Sequence, residues 1–407
     1  VELLLQFTLA LAIVVAAAKA AGYLSGRLGQ PAVLGELLIG LILGPTLLDL
    51  LSWPILGSGH LAETFHQLSH LGVLLLMFVA GLEVDLKAML QTGRPAVLAG
   101  SLGVVTPVLL GGLVALPFGF SLQESIAIGL ILAATSVSIS AQTLMELGVL
   151  RSRVGLALLG AAVVDDILAI LLLSIFLAVA TGAAGGAMAV VWVLVRMVAF
   201  LGLASALGAL VIPRLLAFVG RLPISEGLLA ATFVVALLYS WAAEALGGVA
   251  AITGAFLAGV LIGRSPLRRA IEEGMHPLTY AWLVPVFFVS IGLGVDATAM
   301  KVSDVWLELA IIAVALLSKV LGAGLGARLG GMANKDALRL GVGMASRGEV
   351  GLIVAAAESE AGLIGDRIFA VAVLMILATT ILTPLLLRTL YPKAGKPAPA
   401  AAPTGRE

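Results

Sequence analysis

The feature that most constrains this chain is a succession of apolar runs, rich in Leu, Ala, Val and Gly, that fills nearly its whole length. A helix rises 1.5 Å per residue, so about 20 apolar residues match the roughly 30 Å hydrocarbon core of a bilayer. With 61% hydrophobic and only 11% charged residues, a soluble core could not bury this much apolar surface. Aromatic residues are scarce and no stretch alternates as a membrane β-strand does, which excludes a barrel. The formal net charge of zero leaves no electrostatic footprint for nucleic acid, and the absence of Cys removes disulfides and thiolate metal sites. The fold class is an all-α polytopic membrane protein.

Turn residues divide the runs into thirteen spans, near 2–21, 31–51, 68–86, 95–117, 123–146, 152–180, 186–218, 224–243, 247–263, 278–296, 304–328, 335–359 and 364–390. The first follows Glu2 rather than a basic segment and has no clear cleavage site, so it reads as a retained span and not a signal peptide. Because the chain opens on Val1, a few leading residues are expected to be missing. The Pro- and Ala-rich tail, 392–407, is expected to be disordered. Basic residues fall almost entirely in the odd-numbered connections and the tail, from Arg27 through Arg151, Arg221 and Arg268 to Arg388; the even-numbered connections hold only Lys301 and Arg367. By the positive-inside rule the N-terminus is outside and the C-terminus cytoplasmic.

The two halves echo each other. Gly81-Leu82-Glu83-Val84-Asp85 matches Gly292-Leu293-Gly294-Val295-Asp296 at an offset of 211, and Gly35, Gly40 and Gly44 match Gly254, Gly259 and Gly263 at an offset of 219. The polar break Thr135-Ser136-Val137-Ser138 corresponds to Ser346-Arg347-Gly348-Glu349. Spans one to six then repeat as eight to thirteen. Seven spans separate each pair, so the second copy lies inverted, as in transporters that hold substrate at the midplane between interrupted helices. Two similar packing faces without transport are the alternative.

The polar residues inside the spans carry the chemistry. Asp165 and Asp166 lie mid-span in Gly160–Leu168. Adjacent carboxylates cost several kcal/mol at the bilayer centre and must be protonated, paired or metal-bound. Neighbouring helical positions point about 100° apart, so one can face a partner while the other faces a cavity. Such a site can exchange a proton for a small cation; a structural pair capping a neighbouring helix is the alternative. Lys319, deep in the eleventh span, needs a carboxylate partner: Asp165 or Asp166, or else Glu349. Thr135, Ser136, Ser138 and Ser140 in the fifth span either serve an unwound stretch or ligate a cation, or else bond back within a continuous helix. Arg347 and Glu349, set among glycines in the twelfth span, suggest a second break. Structural ion pairs are expected for Arg196, Glu36 and the Glu83/Asp85 pair, and positions in or beside loops for His60, His66, His70 and His276, with a metal site as the alternative for the first three histidines. No nucleotide or zinc motif appears, so an ion gradient would drive any transport.

The Asp165-Asp166 pair, Ala134-Thr135-Ser136-Val137-Ser138 and Ser346-Arg347-Gly348-Glu349-Val350-Gly351-Leu352 together resemble the monovalent cation:proton antiporter-2 family, in particular its NapA-like sodium/proton antiporters, over residues 25 to 390. The resemblance implies dimerisation helices one to three (1–92) and eight to ten (221–299), a transport core of helices four to six (93–181) and eleven to thirteen (300–391), and a linking seventh helix (182–220). It implies crossed, unwound fifth and twelfth helices. Asp165 would pair with Lys319 and Asp166 would be the main Na⁺ ligand. Thr135 and Ser136 would lie near the ion, and Glu349 would support the crossing. The implied protein is an elevator-type homodimer of the cytoplasmic membrane. It would exchange Na⁺ or Li⁺ for H⁺, electrogenically, without a cofactor and without enzyme activity. A potassium/proton exchanger, a gated cation channel and a sodium/organic-acid symporter are the rivals.

Overall fold

The computed structural model describes residues 2–28, 30–56, 61–83, 91–180, 186–294 and 305–391. Its regular elements are helices: α1 (Glu2–Arg27), α2 (Ala32–Leu43), α3 (Leu61–Glu83), α4 (Gly93–Ala115), α5 (Leu122–Ala133), α6 (Val137–Glu146), α7 (Arg153–Ala180) and α8 (Gly186–Val219). There follow α9 (Gly227–Ala242), α10 (Ala251–Ile262), α11 (Arg268–Leu278), α12 (Val284–Leu293), α13 (Val305–Leu329), α14 (Asn334–Gly343), α15 (Glu349–Glu360) and α16 (Asp366–Leu390). Among the described residues, ten stretches are long and apolar enough to cross a bilayer and three shorter apolar helices accompany them, which matches the thirteen expected spans.

Three boundaries depart from the sequence reading, each for a local reason. The second span ends at Leu43, well before residue 51, because Gly44 precedes Pro45 and takes an extended conformation. The third begins at Leu61, seven residues early, so His66 is helical as well as His70. The tenth begins at Arg268, ten residues early. Its polar first turns are held by the i,i+4 pairs Arg268–Glu272 (3.5 Å) and Arg269–Glu273 (2.9 Å). They continue through a π-helical turn, Thr279–Leu283, into α12. The turn follows Pro277, whose missing N–H and ring disturb regular helix bonding. The 392–407 tail, His60, Asp85 and the loops around 181–185 and 295–304 lie outside the described residues.

Two spans are broken in the middle. The fifth is α5 and α6, separated by extended Ala134 and Ser136; the twelfth is α14 and α15, separated at 344–348. Neither break contains proline. A capping box starts α5: Ser121 Oγ accepts from Glu124 N (3.2 Å), and Glu124 Oε2 accepts from Ser121 N (2.8 Å).

The glycines found by repeat analysis meet as an inverted repeat requires. Gly40 of α2 lies against Val289 and Gly292 of α12, while its counterpart Gly259 of α10 lies against Phe78 and Gly81 of α3. Gly44 abuts Gly292 and Leu293, and its counterpart Gly263 abuts Leu82. Each contact of one half is made again by the equivalent residues of the other, with partners exchanged. Small residues let these backbones approach closely where no hydrophobic gradient drives helices together.

Helices pack in two sets. In one, α2 lies on α1 and α12, α10 on α3 and α9, and α3 on α12. In the other, α4 lies on α5, α7 and α13, α13 on α14 and α16, and α15 on α5 and α16. The α4–α13 seam is close: Gly322 meets Leu102 and Thr106, and Gly326 meets Leu98. Large apolar side chains of α1 and α8, such as Leu4, Leu5, Trp192, Leu203 and Leu207, remain exposed, as suits a face toward lipid.

Candidate ion-binding site

The two carboxylates on α7 look in different directions. Asp165 is fully buried and forms a hydrogen-bonded ion pair with Lys319 Nζ of α13, also fully buried. Among the described side chains that were candidate partners of Lys319, Asp165 is the one it is bonded to. α4 passes over the pair at Gly103, where a Cβ would sit 3.6 Å from Asp165 Oδ1 and 3.8 Å from Lys319 Nζ. Asp165 Oδ2 has no hydrogen-bond partner among the described residues. A buried pair of this kind is held by mutual attraction against a large desolvation cost, so neither charge is stable there alone.

Asp166 faces a small cavity of about 10 Å³, room for about one water molecule. Thr253 Oγ1, from the first turn of α10, donates to Asp166 Oδ2 at 3.2 Å. Val137, the first residue of α6, lines the same cavity with Met77 and Phe256. The carboxylate thus adjoins the N-terminus of a half-helix, where the backbone dipole favours negative charge.

The broken spans are tied at the crossing. Ser136 N donates to Ser346 O (2.9 Å), and Ser346 Oγ donates back to Ser136 O (2.6 Å). The Ser136 and Ser138 hydroxyls lie 3.0 Å apart. Arg347, fully buried, lies in the break of the twelfth span, and its partners are ones the sequence did not name. Its Nε (3.2 Å) and Nη2 (2.7 Å) donate to Leu132 O near the end of α5, and its Nη1 donates to Ala345 O just beyond α14. The guanidinium therefore sits where two half-helix C-termini converge, and a cation there offsets both dipole ends. Thr380 Oγ1 of α16 donates to Arg347 O and fixes the backbone of the break. Glu349, expected to support the crossing, begins α15, but its side chain lies outside the described residues.

Thr135 is buried in the fifth-span break, its hydroxyl turned toward Ala133 O at 3.5 Å. Thr253 escaped the sequence reading. Its only signal was a hydroxyl in the opening turn of an otherwise apolar helix, Ala251-Ile252-Thr253-Gly254. Arg196 is bonded to the Leu246 (2.5 Å) and Ala245 (2.6 Å) carbonyls at the end of the eighth span rather than to an acid. Glu36 has an acid–base partner, Lys19, at 4.0 Å. His66 and His70 stack edge to face, 4.6 Å between ring centroids, and no group of three metal-ligating side chains occurs among the described residues.

Residues 10–391 match the family model described as "Sodium/hydrogen exchanger, transmembrane". The chain belongs to this family. It is 37% identical to the Na(+)/H(+)-K(+) antiporter GerN of Bacillus cereus, covering 94% of this chain and 96% of that protein. It is 33% identical to an Enterococcus hirae Na(+)/H(+) antiporter over 94% and 98% of the respective chains. In three dimensions it superposes on the sodium proton antiporter MjNhaP1 of Methanocaldococcus jannaschii with a TM-score of 0.71 at 17% identity, covering 97% of this chain and 99% of that one. As a family member the chain is a multi-pass secondary active sodium/proton antiporter and not an enzyme.

Proposed function

We propose that this exchanger moves Na⁺ or Li⁺ against H⁺ electrogenically through Asp166, with Asp165 and Lys319 as the coupled charge pair. The observation that carries this reading is the fully buried Lys319–Asp165 ion pair on one side of α7, beside an Asp166 that faces a cavity on the other. In the proton-loaded state Asp166 carries a proton. It releases that proton and takes up Na⁺ with oxygens from its carboxylate and from Thr253; Thr135 is proposed as a further ligand from the break. With Na⁺ bound, the attraction of Asp165 for Lys319 weakens and Lys319 gives up its proton. Two protons leave for one cation, so one net charge moves per cycle. Ser136, Ser138, Arg347 and Glu349 hold the crossing and do not handle the proton.

The alternating-access step is proposed as an elevator. Spans four to six and eleven to thirteen move as a transport core against spans one to three and eight to ten, which also form the homodimer contact. The division is supported by the two packing sets, since the Asp165–Lys319 pair joins α7 to α13 within one set while Thr253 reaches Asp166 from the other. The Arg-rich end, carrying Arg151, Arg268 and Arg388, is proposed as the cytoplasmic face, with the N-terminus outside. Potassium remains a second substrate, because the Bacillus cereus relative is named for Na⁺, H⁺ and K⁺. Purified protein in proteoliposomes tests both: an Na⁺ pulse should alkalinise or acidify the lumen according to its direction, K⁺ should be compared at equal concentration, and no proton movement with any monovalent cation refutes the proposal.

A further inference from the structure

The two half-helices that leave the crossing end in matching acids. Glu146 is the tenth residue of α6, and Glu358 is the tenth residue of α15. Their surroundings in this structure are opposite. Glu146 reaches across to α2, where its carboxylate accepts from Ala32 N (2.5 Å) and Val33 N (3.2 Å), the first two residues of that helix. Gln142, one turn back, steadies it with Nε2 to Oε1 at 2.8 Å. The first N–H groups of a helix have no partner within the helix, and a carboxylate placed there meets both the free donors and the positive end of the dipole.

Glu358 is fully buried, and neither of its carboxyl oxygens has a hydrogen-bond partner among the described residues. Buried polar atoms without partners are rare in folded proteins and costly. The inverted repeat supplies the missing partner. The counterpart of α2 is α10: both have twelve residues, both open with the same backbone turn (Leu34 N to Pro31 O, 3.2 Å; Thr253 N to Ala250 O, 2.9 Å), and their glycines match. Before Ala251 and Ile252 at the start of α10 stands Ala250, whose side chain offers no cap. What Glu146 finds on α2 is on offer to Glu358 on α10.

The packing follows the same asymmetry. At the Arg-rich end α6 lies against α2 and α3. At the opposite end a cavity of about 760 Å³ opens between α15 and α16 on one side and α3 and α12 on the other, and it reaches Gly348 at the crossing. The cavity at the Arg-rich end, about 810 Å³, stops at Glu146 and Gln142 near the end of α6.

We infer that Glu146 and Glu358 are paired positioning residues for ion exchange, alternately capping α2 at one membrane face and α10 at the other. Formation of one cap closes its side while the other acid waits uncapped. The inference rests on the alternating-access reading above. In the state described here the Glu146 cap is made and the opposite side is open. The two caps balance each other, so the equilibrium between the two states is set near even without either being locked.

The chain has no Cys, so a single reporter can be introduced without background. Val373 of α16 lines the cavity at the open end. The full chain carrying Val373→Cys is labelled with a membrane-impermeant maleimide in right-side-out vesicles. Glu146→Ala should shift the two-state ratio by roughly tenfold, the effect of losing one charge-assisted cap, and so slow labelling by roughly fivefold from the near-even starting point. Adding Glu358→Ala should restore the rate, because neither state then holds its cap. Glu146→Gln, which keeps one acceptor oxygen, should give a smaller shift of the same sign and serves if the alanine variant misfolds. An unchanged rate in both Glu146 variants, or a double variant as slow as Glu146→Ala, overturns the inference. If labelling of the Val373→Cys parent itself ignores an imposed Na⁺ gradient, the alternating-access reading fails and the inference goes with it.

Discussion

Removing Lys319 should damage this protein more than removing Lys319 and Asp165 together. In the folded chain the two groups are fully buried and bonded to each other, and Asp165 Oδ2 has no second partner to fall back on. Lys319→Met therefore leaves a carboxylate uncompensated among apolar helices, which costs about 3–5 kcal/mol for buried pairs of this kind. At roughly 2 °C per kcal/mol, the low end for large domains, the apparent Tm should fall by about 6–10 °C. Asp165→Asn alone should cost a similar amount, because it leaves the buried Lys319 without its partner. The double variant Asp165→Asn/Lys319→Met replaces the pair by groups without charge, and buried pairs replaced in this way are often neutral in stability. It should melt within about 2 °C of the parent. Thermal unfolding of the four detergent-purified proteins, followed by size-exclusion recovery, measures the cycle. A double variant as unstable as Lys319→Met would refute the reasoning, since the two losses would then be independent.

Other consequences can be measured on the same material. Gly322→Ala should disrupt the α4–α13 seam, because its Cβ would overlap Leu102 O and Thr106 Oγ1, with a loss of about 1–3 kcal/mol; Gly103→Ala, whose Cβ would find only ordinary contacts, should be nearly silent by the same melting assay. Thr253→Val should raise the KM for Na⁺ by about tenfold or more, as expected for losing a hydroxyl that engages a charged group, while Thr253→Ser should stay near the parent value; equal KM in all three proteins would remove Thr253 from the site. Because proton and cation share Asp166, lowering the pH should raise the KM for Na⁺, approaching tenfold per pH unit once the proton dominates, with Vmax at saturating Na⁺ changing less. Initial rates across a pH series decide this, and a KM independent of pH contradicts a shared ligand.

The sequence told the architecture better than the bonds. Span number was legible because each span must match a bilayer and carries its own apolar run, and the repeat was legible because close-packed glycines recur in the same order. Helix ends were less so. The polar start of α11 contains no apolar run, and only its i,i+4 ion pairs explain why the helix begins at Arg268. Both breaks showed in the sequence as hydroxyls and glycines inside apolar spans, without proline to announce them. What holds the breaks was not visible. Arg347 marked the second break, but the sequence named no partner for it; its partners are carbonyl oxygens, one of them on Leu132, 215 residues away. Backbone carbonyls carry no letter in a sequence, so a cation that caps two half-helices cannot be told from one awaiting a carboxylate. Thr253 was hidden for a related reason: a lone hydroxyl in an apolar helix usually bonds its own backbone, and only the fold brings it to Asp166.

The central claim is that Asp166 carries both the cation and the proton. Na⁺-dependent proton flux in proteoliposomes, compared between the parent and Asp166→Asn, addresses it directly. Asp166→Asn, which cannot alternate between a proton and a cation at that position, should abolish Na⁺-coupled proton movement while the protein remains folded by size-exclusion profile. Folded Asp166→Asn protein that still exchanges Na⁺ for H⁺ at the parent rate would contradict it.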